Sequence, residues 1–197
     1  MNKYDLPPAR KRYFKLTDRI KNPLDLMSHV PFRIATASNL LALNRDLSVR
    51  QDVDLDVREM RVLINIGSYM PIKSADIAYQ SRMDSYTVSR AVKALRQAKL
   101  VDFEPVPTSK RAKNLILTTE GERVYGLISS AVEKRANLLD EVLTENEKVQ
   151  LCDMLARIES KAEQLMAQYA LDRVQEGDDL PADQKELIRW YRKGLDT

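Results

Sequence analysis

The sequence predicts a mainly α-helical protein with one small β-wing, and three observations carry that reading. Only 5 of its 197 residues are glycine and 6% are aromatic, while leucine and alanine are spread along the chain, a composition that favours helices over sheets. Apolar residues recur at helical spacing through most of the chain and turn to alternation only between Val101 and Leu117. With 44% hydrophobic and 31% charged residues, the chain is long and apolar enough to build a real core.

Taken in order, the elements begin after a basic, proline-interrupted tail. A first helix is expected from about Pro31 to about Val49, capped near Ser28 or His29, with Ile34, Ala37 and Leu41 in one apolar row and Leu40, Leu43 and Leu47 in another. The stretch "DLDVREMRVLINIGSYM" reads as a second helix entered at Asp54 or Asp56, with Gly67 near its end. "IKSADIAYQSR" is a short helix starting at Ser74, and "MDSYTVSRAVKALRQAKL" is another entered through Asp84. So little chain separates these two that they read as a helix-turn-helix.

"VDFEPVP" and "KNLILTT" then alternate apolar and polar residues on either side of the polar "TSKRA", which is the pattern of a two-stranded hairpin. Pro105 and Pro107 suit edge positions. A hairpin after a helix-turn-helix is a wing. A long helix should follow from Thr118 or Thr119, where Thr119 and Glu122 form a candidate capping box. A second box, Thr144 with Glu147, opens a helix carrying Leu151, Leu155, Ile158, Ala162, Leu165 and Tyr169 at alternating four- and three-residue steps, a seam for another helix. "EGDDLPADQ" breaks the chain before a last amphipathic helix built on Leu187, Ile188, Trp190 and Tyr191, expected as a flap on the seam helices.

Charge is distributed unevenly although the net value is only +3. Residues 1–22 and residues 82–113 are each +5, whereas residues 140–186 are −8, so two basic regions can face a polyanion while the acidic part faces away. On a helical wheel, Val88, Ala91, Val92 and Leu95 share one face of the helix after Asp84, opposite Tyr86, Arg90, Lys93 and Gln97. Short hydroxyl residues, Ser85, Thr87 and Ser89, cluster at its tip, where helix amides and hydroxyls bond phosphate oxygens. Arginine there can donate two bonds to guanine in a major groove. Lys110, Arg111 and Lys113 lie at the hairpin turn, where a wing reaches the flanking groove. The candidate contacts to double-stranded DNA are therefore Ser74, Ser85, Tyr86, Thr87, Ser89, Arg90, Lys93, Lys110, Arg111 and Lys113. The competing reading is a solvated amphipathic helix whose basic face serves only solubility.

The segments "VREMRVLINIG", "MDSYTVSRAVKALRQAKLV" and "TSKRAKNLILTTEGERVY", with Leu117, Thr118 and Gly121 in a Leu-Thr-x-x-Gly pattern, resemble the MarR family of bacterial transcriptional regulators over roughly residues 28–168. Ser109 stands where the family usually has an Asp before the wing's basic pair, and Arg111 matches the wing arginine. The resemblance implies a homodimer of winged helix-turn-helix lobes joined by a helical dimerisation domain built from N- and C-terminal helices. Its recognition helices would lie about 34 Å apart on a pseudo-palindromic operator. On that organisation residues 1–22 are a basic flexible tail and 23–52 the N-terminal helix of the dimerisation domain. Residues 53–118 form the DNA-binding domain, 119–170 the long C-terminal helices and 180–195 an additional helix.

The resemblance also implies a regulator, a repressor on this reading, that a small aromatic acid or phenol releases. His29, Arg33 and Arg61 are the candidate ligand contacts, because an anion in an apolar crevice needs a cation or donor; each also reads as a cap, a surface residue or an ion-pair partner. Cys152 has no adjacent Lys or His and reads as an inert buried thiol. An enzyme is not expected: one His and one Cys cannot assemble a His/Cys zinc site, and no glycine-rich phosphate loop is present. No cofactor, signal peptide or membrane partner is expected either, which points to the cytoplasm. The alternative is an architectural helical dimer that does not bind a specific sequence.

Overall fold

The computed structural model describes residues 15–42, 47–106 and 109–195; residues 1–14 of the basic tail and the stretch 43–46 of the expected first helix lie outside the described residues. Helix α1 (Val30–Leu41) starts as its cap chemistry dictates. Nδ1 of His29 accepts a hydrogen bond from the Phe32 amide at 3.3 Å, and Pro31 occupies the first turn, where its missing N–H has no helical partner to lose.

The helix ends earlier than the expected Val49. Ala42 is extended, and a separate helix, α2 (Leu47–Asp52), follows. Burial explains the break: no residue of α1 is buried, whereas Val49 and Val53 sink into the main core, and one straight helix would not serve both environments. Arg135, from helix α6 (Thr119–Asp140), donates to the Leu41 carbonyl at 3.0 Å and so satisfies an orphan acceptor at the α1 C-terminus.

The lobe between these helices holds most of the core. Helix α3 (Val57–Tyr69) is fixed by a reciprocal cap, in which Asp56 accepts the amides of Arg58 and Glu59 at 2.7 and 2.8 Å and Glu59 accepts the Asp56 amide at 2.9 Å. Its Met60, Leu63 and Ile66, at three-residue steps, are fully buried in the cluster that also holds Ile77 of α4 (Ser74–Ser81) and Val88 and Leu95 of α5 (Ser85–Gln97).

Between α4 and α5 the chain turns through Arg82, which is left-handed at φ 51°, a conformation costly for a residue with a Cβ. Its guanidinium is anchored by the Tyr79 carbonyl and Glu163 and lies 4.3 Å from the Tyr79 ring centroid. These contacts hold a turn that a glycine would otherwise suit.

Strands β1 (Val101–Val106) and β2 (Ser109–Leu117) form the expected antiparallel hairpin, with Val101 opposite Leu117 and Phe103 opposite Leu115. Two details differ from the sequence reading. The polar stretch expected as a turn is partly strand: β2 begins at Ser109, and an irregularity between Pro105 and Val106 moves the register from Lys113 to Ser109, absorbing the extra residues within the ladder. Ile72 adds a short bridge on the other edge of β2, with its carbonyl accepting the Leu115 amide at 2.8 Å.

The cap of α6 is also shifted by one residue. Thr118, not Thr119, is the capping side chain: its Oγ1 accepts the Gly121 amide at 3.0 Å and donates to the Lys99 carbonyl at 2.7 Å, stitching the helix to the end of α5.

Helix α7 (Glu145–Gln175) opens with the Thr144–Glu147 box as read from the sequence. Its seam residues Leu151, Ile158, Leu165 and Tyr169 are exposed in the single chain. Cys152 is exposed as well, correcting the expectation of a buried thiol; an uncovered α7 leaves it open to solvent. The last helix, α8 (Ala182–Leu195), buries Ile188 against Ala170 and Leu180. No helix among the described residues is long and apolar enough to cross a membrane.

Candidate nucleic-acid interface

Helix α5 is held from both sides, which leaves one face free. Val88, Ala91, Val92 and Leu95 are buried against α3 and the hairpin, so the opposite residues Tyr86, Ser89, Arg90 and Lys93 point outward by geometry. Tyr86 is 71% exposed, and the Arg90 guanidinium lies 5.7 Å from its ring centroid, an arrangement that extends the arginine along the helix tip. Among the described residues neither Arg90 nor Lys93 makes an ion pair. Two uncompensated cations on an exposed face are what a polyanion requires.

The N-terminus of α5 is already occupied by acids. Asp84 caps it, accepting the Thr87 amide at 2.8 Å, and hydrogen bonds from Thr87, its side chain first and then its amide, hold the Asp84 carboxyl below its ordinary pKa. Thr87 is accordingly half-buried and committed to the cap. The Ser85 amide donates to Glu186 of α8 at 3.0 Å, and the Ser85 hydroxyl donates to the other oxygen of the same carboxylate. The expected hydroxyl tip is thus split: Ser89 is exposed on the open face with no side-chain hydrogen bond among the described residues, while Ser85 and Thr87 bond carboxylates.

Ser74, Ser89, Lys93, Arg96, Gln97 and Phe103 line a common concavity of about 500 Å³ between α4, α5 and β1. This brings Ser74 to the open face of α5. The Arg96 guanidinium stands 4.3 Å from the Phe103 ring centroid and the Lys113 ammonium 5.2 Å from it, so one aromatic ring joins the end of α5 to the hairpin. The candidate contacts read from the sequence include neither Arg96 nor Phe103: Arg96 counts there only as one of the cations of the helix, and the alternation that marks Phe103 as a strand residue does not reveal its cationic neighbours. Lys110 and Arg111 stand in β2, and their side chains lie outside those described.

Of the candidate ligand residues, His29 is the cap of α1. Arg33 and Arg61 are exposed on α1 and α3 and make no ion pair among the described residues. The Arg33 amide donates to the His29 carbonyl at 3.0 Å as part of the first helical turn, and no side-chain hydrogen bond among the described residues links the three.

Fold and face together define a winged helix-turn-helix protein. The model of the MarR family matches residues 53–112, the stretch that holds the winged lobe. A MarR/EmrR family transcriptional regulator from Acinetobacter sp. ADP1 is 26% identical with a TM-score of 0.65, the alignment covering 72% of this chain and 99% of that one. The S. aureus MepR–DNA complex shares the fold at 21% identity and a TM-score of 0.60, over 68% of this chain and 98% of MepR. CouR from Rhodococcus jostii RHA1, solved bound to p-coumaroyl-CoA, does so at 20% identity and 0.61, over 69% of this chain and 95% of CouR. No curated protein matches the sequence significantly.

Proposed function

We propose that this chain is a sequence-specific, double-stranded-DNA-binding transcriptional regulator, a repressor without enzymatic activity, acting in the cytoplasm as a homodimer on a pseudo-palindromic operator. The observation that carries the reading is the exposed face of α5, where Arg90 and Lys93 have no ion-pair partner among the described residues and sit on a helix presented by a winged lobe. In such a lobe the second helix enters the major groove and reads base edges with its N-terminal residues. Arg90 is the base-reading residue on this account, Lys93, Ser74 and Ser89 contact phosphates, and Lys110, Arg111 and Lys113 follow the flanking groove.

The exposed seam of α7 supports the dimer. Ile158 and Leu165 are 40% and 39% exposed in the single chain and fall on one helical face with Leu151 and Tyr169, which a second copy would cover. The ligand in the CouR structure supports an effector of aromatic-acid or thioester type. Arg33 and Arg61 would supply the cationic partners and His29 a further polar contact. Titration of a duplex with the purified chain over a range of salt concentrations tests the reading. Each neutralised phosphate contributes about −0.9 to the slope of log affinity against log salt. A steep negative slope with a preferred sequence supports a regulator, whereas absence of duplex binding leaves the architectural dimer.

A further inference from the structure

The Glu186 side chain is the one charged group recorded as buried among the described residues, at 6% exposure, and it is spent on the tip of the recognition helix. Both of its oxygens accept from Ser85, one from the amide and one from the hydroxyl. These are the donors that a helix N-terminus offers to a phosphate oxygen. With Asp84 one residue away, the tip of α5 carries two carboxylates, and a DNA phosphate arriving there meets repulsion in place of donors.

We propose that Glu186 is an internal occupant of an oxyanion site at the start of α5, and that α8 must release Ser85 before a DNA phosphate can seat there. The inference rests on the reading of α5 as the DNA-contacting helix and adds a regulatory element to it. The way α8 is attached makes release feasible. Its polar tethers are at the surface: Lys193 reaches Asp76 of α4 at 2.6 Å and lies 4.7 Å from the Tyr79 ring, and Arg82 lies 5.9 Å from the Trp190 ring. Its buried apolar anchor, Ile188, belongs to a small cluster with Ala170 and Leu180, separate from the lobe core. Only the half-buried Trp190 touches that core. Detaching α8 therefore takes one half-buried side chain, Trp190, from the packing that presents α5 and leaves its buried residues in place. The acidic balance of residues 140–186 and the basic balance of residues 82–113 give the clasp its electrostatic sense, and a duplex competes for the same cations.

The test uses full-length chain. Glu186→Gln removes the charge at Ser85, and Lys193→Ala cuts a tether on α4 without touching the tip of α5. Affinity is measured against a mixed-sequence duplex and against a duplex selected from a random pool by the wild-type chain, while the emission of Trp190, the single tryptophan, follows α8. Glu186→Gln is expected to bind the selected duplex roughly five- to fifty-fold more tightly, by the strength of charge-assisted hydrogen bonds. Lys193→Ala should act in the same direction and by less, and duplex should shift the wild-type emission to the red. Unchanged or weaker binding by both variants, with wild type still binding, overturns the clasp and leaves the DNA-binding reading standing. Failure of all three chains to bind either duplex removes that reading and the clasp with it. Should Glu186→Gln lose its helical dichroism, Lys193→Ala alone decides.

Discussion

A β-carbon placed on Gly121 would stand 1.9 Å from the carbonyl oxygen of Leu100, so the start of α6 touches the end of α5 backbone to backbone. The same carbonyl accepts the Thr118 amide at 3.0 Å, and neither partner is free to move aside. Gly67 makes a second close approach, but there the neighbour is the Tyr125 ring, a side chain. Gly121→Ala should therefore cost about 3 kcal/mol or more, in the range of overpacking against a rigid neighbour, and Gly67→Ala distinctly less. Urea denaturation of both variants checks the order, and equal costs would contradict it.

Phe103 couples the hairpin to the recognition helix through Arg96 and Lys113. Phe103→Leu keeps most of the apolar volume and removes the ring. Cation–π contacts at exposed sites contribute about 0.5–1 kcal/mol each, so stability should fall by about 1–2 kcal/mol. Duplex affinity should fall further than in a variant carrying an equal loss of stability elsewhere. Affinity unchanged at matched stability would show that the hairpin is placed by other contacts.

Asp84 sets where α5 begins. Asp84→Ala should cost about 1 kcal/mol at neutral pH, the usual cost of losing an N-cap. Hydrogen bonds from Thr87 lower its pKa in the folded chain from an ordinary 3.8, so the folded state binds this proton less readily than the unfolded state. The stabilisation is fully present above pH 3.8 and is lost as the pH falls through the lowered value. Stability curves of the wild type and Asp84→Ala should converge only below that pH; convergence near pH 6 would refute the assignment.

The α7 seam should hold the dimer. Wild type is expected to sediment as a dimer, and the double variant Ile158→Glu, Leu165→Glu as a helical monomer, because paired charges at apolar seam positions are not compensated in a helix–helix contact. A monomeric wild type would refute the assembly.

Much of the lobe was legible because its signals are local. Asp84, Ser74 and the 3.6-residue spacing from Val88 to Leu95 mark α4 and α5 without knowledge of their neighbours, and the alternation at Val101 and Phe103 marks the hairpin. The Thr144–Glu147 box is likewise contained within four residues.

What escaped depends on distant partners. The break after Leu41 follows from burial of Val49 in a core assembled largely from later residues. Glu186 reaches Ser85 across 101 positions, and a glutamate on an amphipathic helix carries no mark of such a partner. Amphipathicity predicts the last helix as a flap on the seam helices, and it does pack on α7, but its reach to Asp76 and Ser85 of the helix-turn-helix has no signature in periodicity.

The central claim, that α5 reads base edges with Arg90, is tested most directly by binding of Arg90→Ala to a selected duplex and to a mixed-sequence duplex at one salt concentration. The account predicts a loss of about 1–3 kcal/mol on the selected duplex, with blurred sequence preference and a much smaller loss on the mixed one. Equal losses on both would make Arg90 a phosphate anchor, and no loss on either would place DNA elsewhere on the protein.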